Sequence, residues 1–108
     1  MEQTEFLKKH VFSDLTNLND GFDKKDFKYF SESDFEKVLD KAEHYGISIY
    51  EIKTFLNWEP NEVTSHVDHK KKATDPRWYK KAFNKLKARQ TELLYSATYK
   101  VSKKLLAR

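Results

Sequence analysis

The sequence predicts a single all-α domain, and three observations predict it. A chain of 108 residues is long enough for one domain with a modest core and short for two. Its large apolar residues include ten Leu, eight Phe and six Tyr against three Ile and five Val, a γ-branched and aromatic core that leans towards helix. Two Gly and two Pro leave few tight-turn positions for a many-stranded sandwich or barrel.

The elements follow in order. Phe6, Leu7, His10, Val11, Leu15 and Leu18 form an i, i+3/i+4 stripe, which predicts helix 1 over 6–18, closed by a left-handed cap at Gly21. Phe22, Phe27, Tyr29 and Phe30 have no clear period and read as a loop whose aromatics plug the core. Helix 2 starts near residue 32, either at Ser31 with a Phe30/Phe35 staple or at a Ser33/Glu36 capping box. It runs through Phe35, Val38, Leu39 and Ala42 to Tyr45, with Gly46 placed to end it. Ser48 and Glu51 form another capping box, with Ile47 and Ile52 in staple positions, so helix 3 is expected over about 49–57, making 32–57 an αα-hairpin.

Residues 58–75 lack a strong period and read as a long loop with one turn near 61–67. Thr74-Asp75-Pro76 then supplies an N-cap with proline just inside a helix, and neither Gly nor Pro follows. A continuous helix over 76–108 would be about 50 Å long. Its second half is apolar on two sides, through Leu93, Leu94, Ala97 and Val101 and through Tyr95, Tyr99 and Leu106. Tyr95, Ala97, Tyr99 and Val101 also alternate with polar residues, so a strand over 94–102 is the alternative.

The charge is unevenly placed. Residues 1–69 carry 8 Lys/Arg and 15 Asp/Glu, a net −7, whereas residues 70–108 carry 13 and 2, a net +11. A basic block of that density attracts phosphate, an acidic membrane or an acidic protein face, or it neutralises the acidic part within the chain. Lys70, Lys71, Lys72, Arg77, Lys80, Lys81, Lys85, Lys87 and Arg89, with Trp78 and Tyr79 able to stack on bases, make a footprint for a nucleic-acid backbone. Trp58, Tyr95, Tyr99 and Leu106 lie at helix ends or off the main stripe and are candidate anchors for a partner, including a second copy in a homodimer.

Val38 to Asn57, VLDKAEHYGISIYEIKTFLN, resembles the helix-turn-helix of small bacterial and phage DNA-binding proteins. The small residue of that motif falls on Ala42, its turn glycine on Gly46 and its apolar positions on Tyr45, Ile47, Ile52 and Phe55. The resemblance implies that Ser48, Ile49, Tyr50, Lys53, Thr54 and Asn57 face the major groove. Lys41 stands where a buried apolar residue is usual, and Glu36, Asp40, Glu43 and Glu51 surround the motif with charge that repels phosphate.

Other chemistry is sparse. The chain has no Cys, so disulfides and thiolate zinc sites are excluded. His66, Asp68 and His69 are close in sequence, but no further ligand cluster accompanies them, and no metal or cofactor is expected. No nucleophile motif or Gly-rich phosphate loop is present, so the protein is read as non-enzymatic. The acidic amino terminus lacks a signal-peptide pattern and no apolar run approaches a membrane span, so the expected location is cytoplasmic, with no membrane partner. The expected role is binding of DNA or RNA, with the basic segment on phosphates. The competing role is a phage or mobile-element inhibitor or adaptor that binds a larger host protein complex.

Overall fold

A computed structural model describes residues 1–25 and 27–107. It is mixed α/β, which corrects the all-α expectation. Helix α1 (Gln3–Phe6) runs into a π-helical stretch, Leu7–Val11, and an irregular segment leads to α2 (Glu32–Tyr45). Strands β1 (Ser48–Leu56) and β2 (Glu59–Ser65) follow, then α3 (Pro76–Arg89), β3 (Leu94–Lys100) and the short α4 (Lys103–Leu106). The strands form one antiparallel sheet in the order β2-β1-β3.

Local signals place α2 well. Ser31 is its N-cap, accepting a hydrogen bond from the Asp34 N–H at 3.3 Å. Gly46 closes it in the left-handed region at φ +67°, a conformation that only glycine adopts without cost. The start of α3 is equally local, with Asp75 Oδ1 accepting from the Arg77 N–H at 2.9 Å and Pro76 in the first turn.

The expected third helix is instead the central strand. Ile49 and Ile52 are both fully buried although three residues apart, a spacing that mimics a helix. A bulge at Tyr50 accommodates it, because Ile49 pairs with Tyr99 while Glu51 pairs with Thr98. The β1–β2 turn has positive φ at both central residues, Asn57 (51°) and Trp58 (67°). This is the pattern of a type I′ hairpin, and it runs through the segment expected to be loop.

The long C-terminal helix is broken as well. Gln90 leaves α3 in an extended conformation, Glu92 takes φ +63°, and the chain returns as β3 beside β1. The alternation over 94–102 is therefore a strand. Its far edge is bridged by Phe30, whose N–H donates to Tyr95 O and whose carbonyl accepts from Tyr95 N, each at 2.8 Å. Helix 1 also stops early, since Asp14 turns at φ +66°. Asn19 then holds the following loop, its Nδ2 donating to the carbonyls of Lys24 (2.9 Å) and Phe27 (2.8 Å).

Helices α2 and α3 pack on one sheet face around Phe35, Phe83 and Tyr95, whose ring centroids lie 5.1–5.6 Å apart. The other face is partly covered by the loop, through Phe22 and Tyr29 against Phe55. The amino terminus is tied to the end of β3, where Gln3 donates to Tyr99 O (3.1 Å) and accepts from Val101 N (2.8 Å).

Candidate nucleic-acid interface

The uneven charge of the sequence becomes a seam between two helices. Helix α2 presents Glu36, Asp40 and Glu43 along one stripe, and α3 docks antiparallel with Lys80 and Lys87 facing it. Lys80 Nζ donates to Glu43 Oε1 at 2.5 Å and to Asp40 Oδ1 at 3.1 Å, and Lys87 lies 4.0 Å from Glu36. The hydrogen bond that Lys80 donates to Glu43 raises the Lys80 pKa, with Asp40 adding to it. Two arginines are also engaged. Arg77 forks onto Asp75, drawing that carboxyl down to about 2, and Arg89 Nη2 donates to Glu62 Oε2 at 2.6 Å.

Five lysines of the predicted footprint remain outside these pairs. Lys81 and Lys85 are exposed on α3, and Lys70, Lys71 and Lys72 are exposed on the turn before it. None is in an ion pair among the described residues. The turn is held firmly. His66 Nδ1 bonds with Lys71 O at 2.8 Å, His69 Nε2 with Thr64 Oγ1 at 3.1 Å, and Lys71 N with His66 O at 3.1 Å. Buried Trp78 supports it from below, its ring 5.5 Å from that of His69.

Between this turn, β2 and α3 runs an open groove of about 470 Å³, lined by Glu62, Thr64, His69, Lys85 and Arg89, with Leu86 at its apolar floor. It continues past Arg89 into a hollow of about 250 Å³ near Asn61 and Gln90. Cationic side chains thus stand along one side of a shallow channel. Two of the exposed lysines, Lys81 and Lys85, are four residues apart and share one side of the helix.

Other predicted residues lie elsewhere. Trp78 and Tyr79 are buried and present no stacking surface, since they are the apolar side of the helix that carries the lysines. Burial also pushes the Tyr79 hydroxyl pKa upward. Residues 48–56 form a strand, so Ser48, Ile49, Tyr50, Lys53 and Thr54 do not lie on a second helix. Ser48 pairs with Lys100 in the sheet and Ile49 is in the core. Tyr50 packs on His66, and Thr54, buried, accepts from Asn61 Nδ2 at 2.9 Å. Lys53 is held by Asp23 at 3.3 Å and lies 3.8 Å above the Phe27 ring, while Asn57 is a turn residue.

Of the candidate anchors, Tyr95 is wholly buried, the Tyr99 hydroxyl is buried and Leu106 is packed against the core. Burial raises both tyrosine pKa values, that of Tyr95 to about 12. They are covered because Phe35 of α2 and Phe83 of α3 pack on Tyr95 and Phe12 packs on Tyr99. Trp58 alone of the four is exposed, at 61%. It occupies a left-handed position that costs a non-glycine residue about 1–2 kcal/mol, and its ring touches Phe22 at 5.2 Å.

Sequence reasoning missed a linked trio. Tyr29 OH donates to Asp23 Oδ2 at 2.5 Å, and Lys53 reaches the same oxygen. Burial pushes the Asp23 pKa up, but hydrogen bonds from Tyr29, the Lys24 backbone and Lys53 outweigh it and hold it below the usual value. Lys53 is far from the other two in the chain, and no local pattern joins them. No group of three or more His, Cys, Asp or Glu side chains that could hold a metal occurs among the described residues. Among those residues, no helix is long and apolar enough to cross a membrane. In comparison with known proteins, no family model, curated sequence or solved structure matches the chain.

Proposed function

We propose that the protein is a non-enzymatic nucleic-acid-binding protein of the cytoplasm that grips phosphates with Lys70, Lys71, Lys72, Lys81 and Lys85. The observation that carries this reading is the division of labour within the basic segment. Lys80, Lys87, Arg77 and Arg89 are matched to carboxylates, while these five lysines are exposed and one of them, Lys85, lines the groove with His69. Ammonium groups unmatched within the chain can release counterions from a phosphate backbone, whereas paired ones gain little by doing so.

The same arrangement argues for recognition of backbone rather than bases. With Trp78 and Tyr79 in the core, the basic surface lacks the aromatic platforms on which single-stranded bases stack. Duplex DNA, with its denser phosphate array, is the favoured ligand. An electrophoretic shift series with duplex DNA and single-stranded RNA over rising salt tests the reading. Retention at low salt that fades steeply, with little sequence preference, is the expected result. Absence of any shift at low salt, together with stable co-purification of a protein partner, would replace it with the adaptor or inhibitor role.

A further inference from the structure

The end of the sheet opposite the β1–β2 turn is lined with lysine. Beyond β2 the chain stays beside the start of β1, where the His66 N–H donates to Tyr50 O at 3.1 Å and, after the Lys70–Lys72 turn, Ala73 O accepts from the Ile49 N–H at 3.0 Å. On the other side of β1, Ser48 stands opposite Lys100, the last residue of β3. Two strand spacings, about 10 Å, therefore separate Ala73 from Lys100. Lys103 and Lys104 follow on α4, which Ser102 caps by accepting from the Leu105 N–H at 3.4 Å and which Leu105 and Leu106 anchor on the core. Gln3 fixes this end of β3 through its bonds to Tyr99 O and Val101 N. Lys100, Lys103 and Lys104 are exposed, and none is in an ion pair among the described residues. Glu2, Glu5 and Glu51 belong to the same end and are matched to none of them.

Two rows of ammonium groups result, and they run in different directions. Helix α3 starts beside this end of the sheet and finishes with Arg89 on Glu62 of β2 and with Gln90 beside Asn61, near the β1–β2 turn, so Lys81 and Lys85 form a row along the strands. The helix carries Lys85 about 14 Å from its start. Lys100, with Lys103 and Lys104 just beyond it, lies instead across the strand ends. The rows meet at the Lys70–Lys72 turn. Duplex DNA resists bending over lengths of about 150 base pairs, so a segment seated along α3 does not turn the corner onto the second row. We propose that Lys100, Lys103 and Lys104 hold the phosphates of a second duplex segment, so that one chain bridges two. The inference rests on the nucleic-acid reading and adds that the ligand is a pair of duplex segments brought together. Because the second row offers fewer ammonium groups than the first, it holds its segment more weakly, and bridging is confined to low salt.

At low salt the full chain should carry a fluorescent duplex onto an unlabelled duplex fixed to beads. Combining Lys100→Gln, Lys103→Gln and Lys104→Gln should leave the affinity for a single duplex, read by anisotropy, within about twofold and should cut the captured duplex about tenfold or more. The far-ultraviolet spectrum should not change, because all three side chains are exposed. The variant with Arg at the same three positions keeps the charge and should bridge like the wild type. Absence of any duplex binding at low salt would overturn the nucleic-acid reading itself. Binding of one duplex without capture of a second, or capture that survives the Gln variant, would overturn the bridge alone, as would a Gln variant that loses single-duplex affinity as far as it loses capture.

Discussion

Replacing Lys81 and Lys85 together by Gln isolates the charge that the protein has left for a ligand. Five lysines free of internal partners among the described residues, each meeting one phosphate, give a slope of log affinity on log salt near −4.5 for duplex DNA. Raising salt about fourfold should then weaken binding roughly 500-fold. With two of the five removed, the slope falls to about −2.7 and the same change costs only about 40-fold. Fluorescence anisotropy with a labelled duplex, titrated at several salt concentrations, measures both slopes. Lys80→Gln is the control, because Lys80 is engaged by Asp40 and Glu43 and partly exposed. It should leave the slope unchanged and reduce stability by no more than about 0.5 kcal/mol. Equal slopes for wild type and the double variant, or an equal drop for Lys80→Gln, would refute the division between matched and free lysines.

Further outcomes follow from the packing. Ser31→Ala removes the α2 N-cap and should cost about 1 kcal/mol, read as a fall in Tm of about 4–8 °C. Tyr29→Phe deletes the donor to Asp23 within a buried setting and should cost about 1.5–3 kcal/mol by urea unfolding. Asp23→Asn should lower stability at neutral pH. Because the folded Asp23 pKa lies below 3.8, its contribution is present above the ordinary carboxylate range and is lost as pH falls through the folded value, so variant and wild type should converge in strong acid.

The free lysines were legible as charge and not as a site. Lys70 to Arg89 read in the sequence as one basic footprint, and the docking of α3 on α2, the approach of Glu62 on β2 to Arg89 and the local Asp75–Arg77 pair separate the engaged cations from the available ones. Trp78 illustrates the same limit. Its position in the first turn of a basic helix suggested stacking, but a helix buries one stripe, and that stripe includes Trp78, Tyr79, Ala82, Phe83 and Leu86. The aromatic groups and the lysines occupy different sides for that reason. Trp58 was legible as uncommitted because it falls outside any periodic stripe, and the structure leaves it on the surface.

Whatever a few neighbouring residues can decide was already written in the chain. The Ser31 start and Gly46 stop of α2, the Asp75-Pro76 start of α3 and the opposition of an acidic and a basic segment all rest on contacts within one turn or on composition. The sheet arose only when distant segments came together. Ile49, Ile52 and Phe55 satisfy a helical spacing, and Leu94 to Val101 satisfy both periods, so neither segment chooses alone. The choice came from backbone hydrogen bonds between β1 and β3, far apart in the chain, and from the core that Phe35 and Phe83 complete over Tyr95. Those interactions exist only in the assembled fold, and together they outweigh the modest propensities that local sequence expresses.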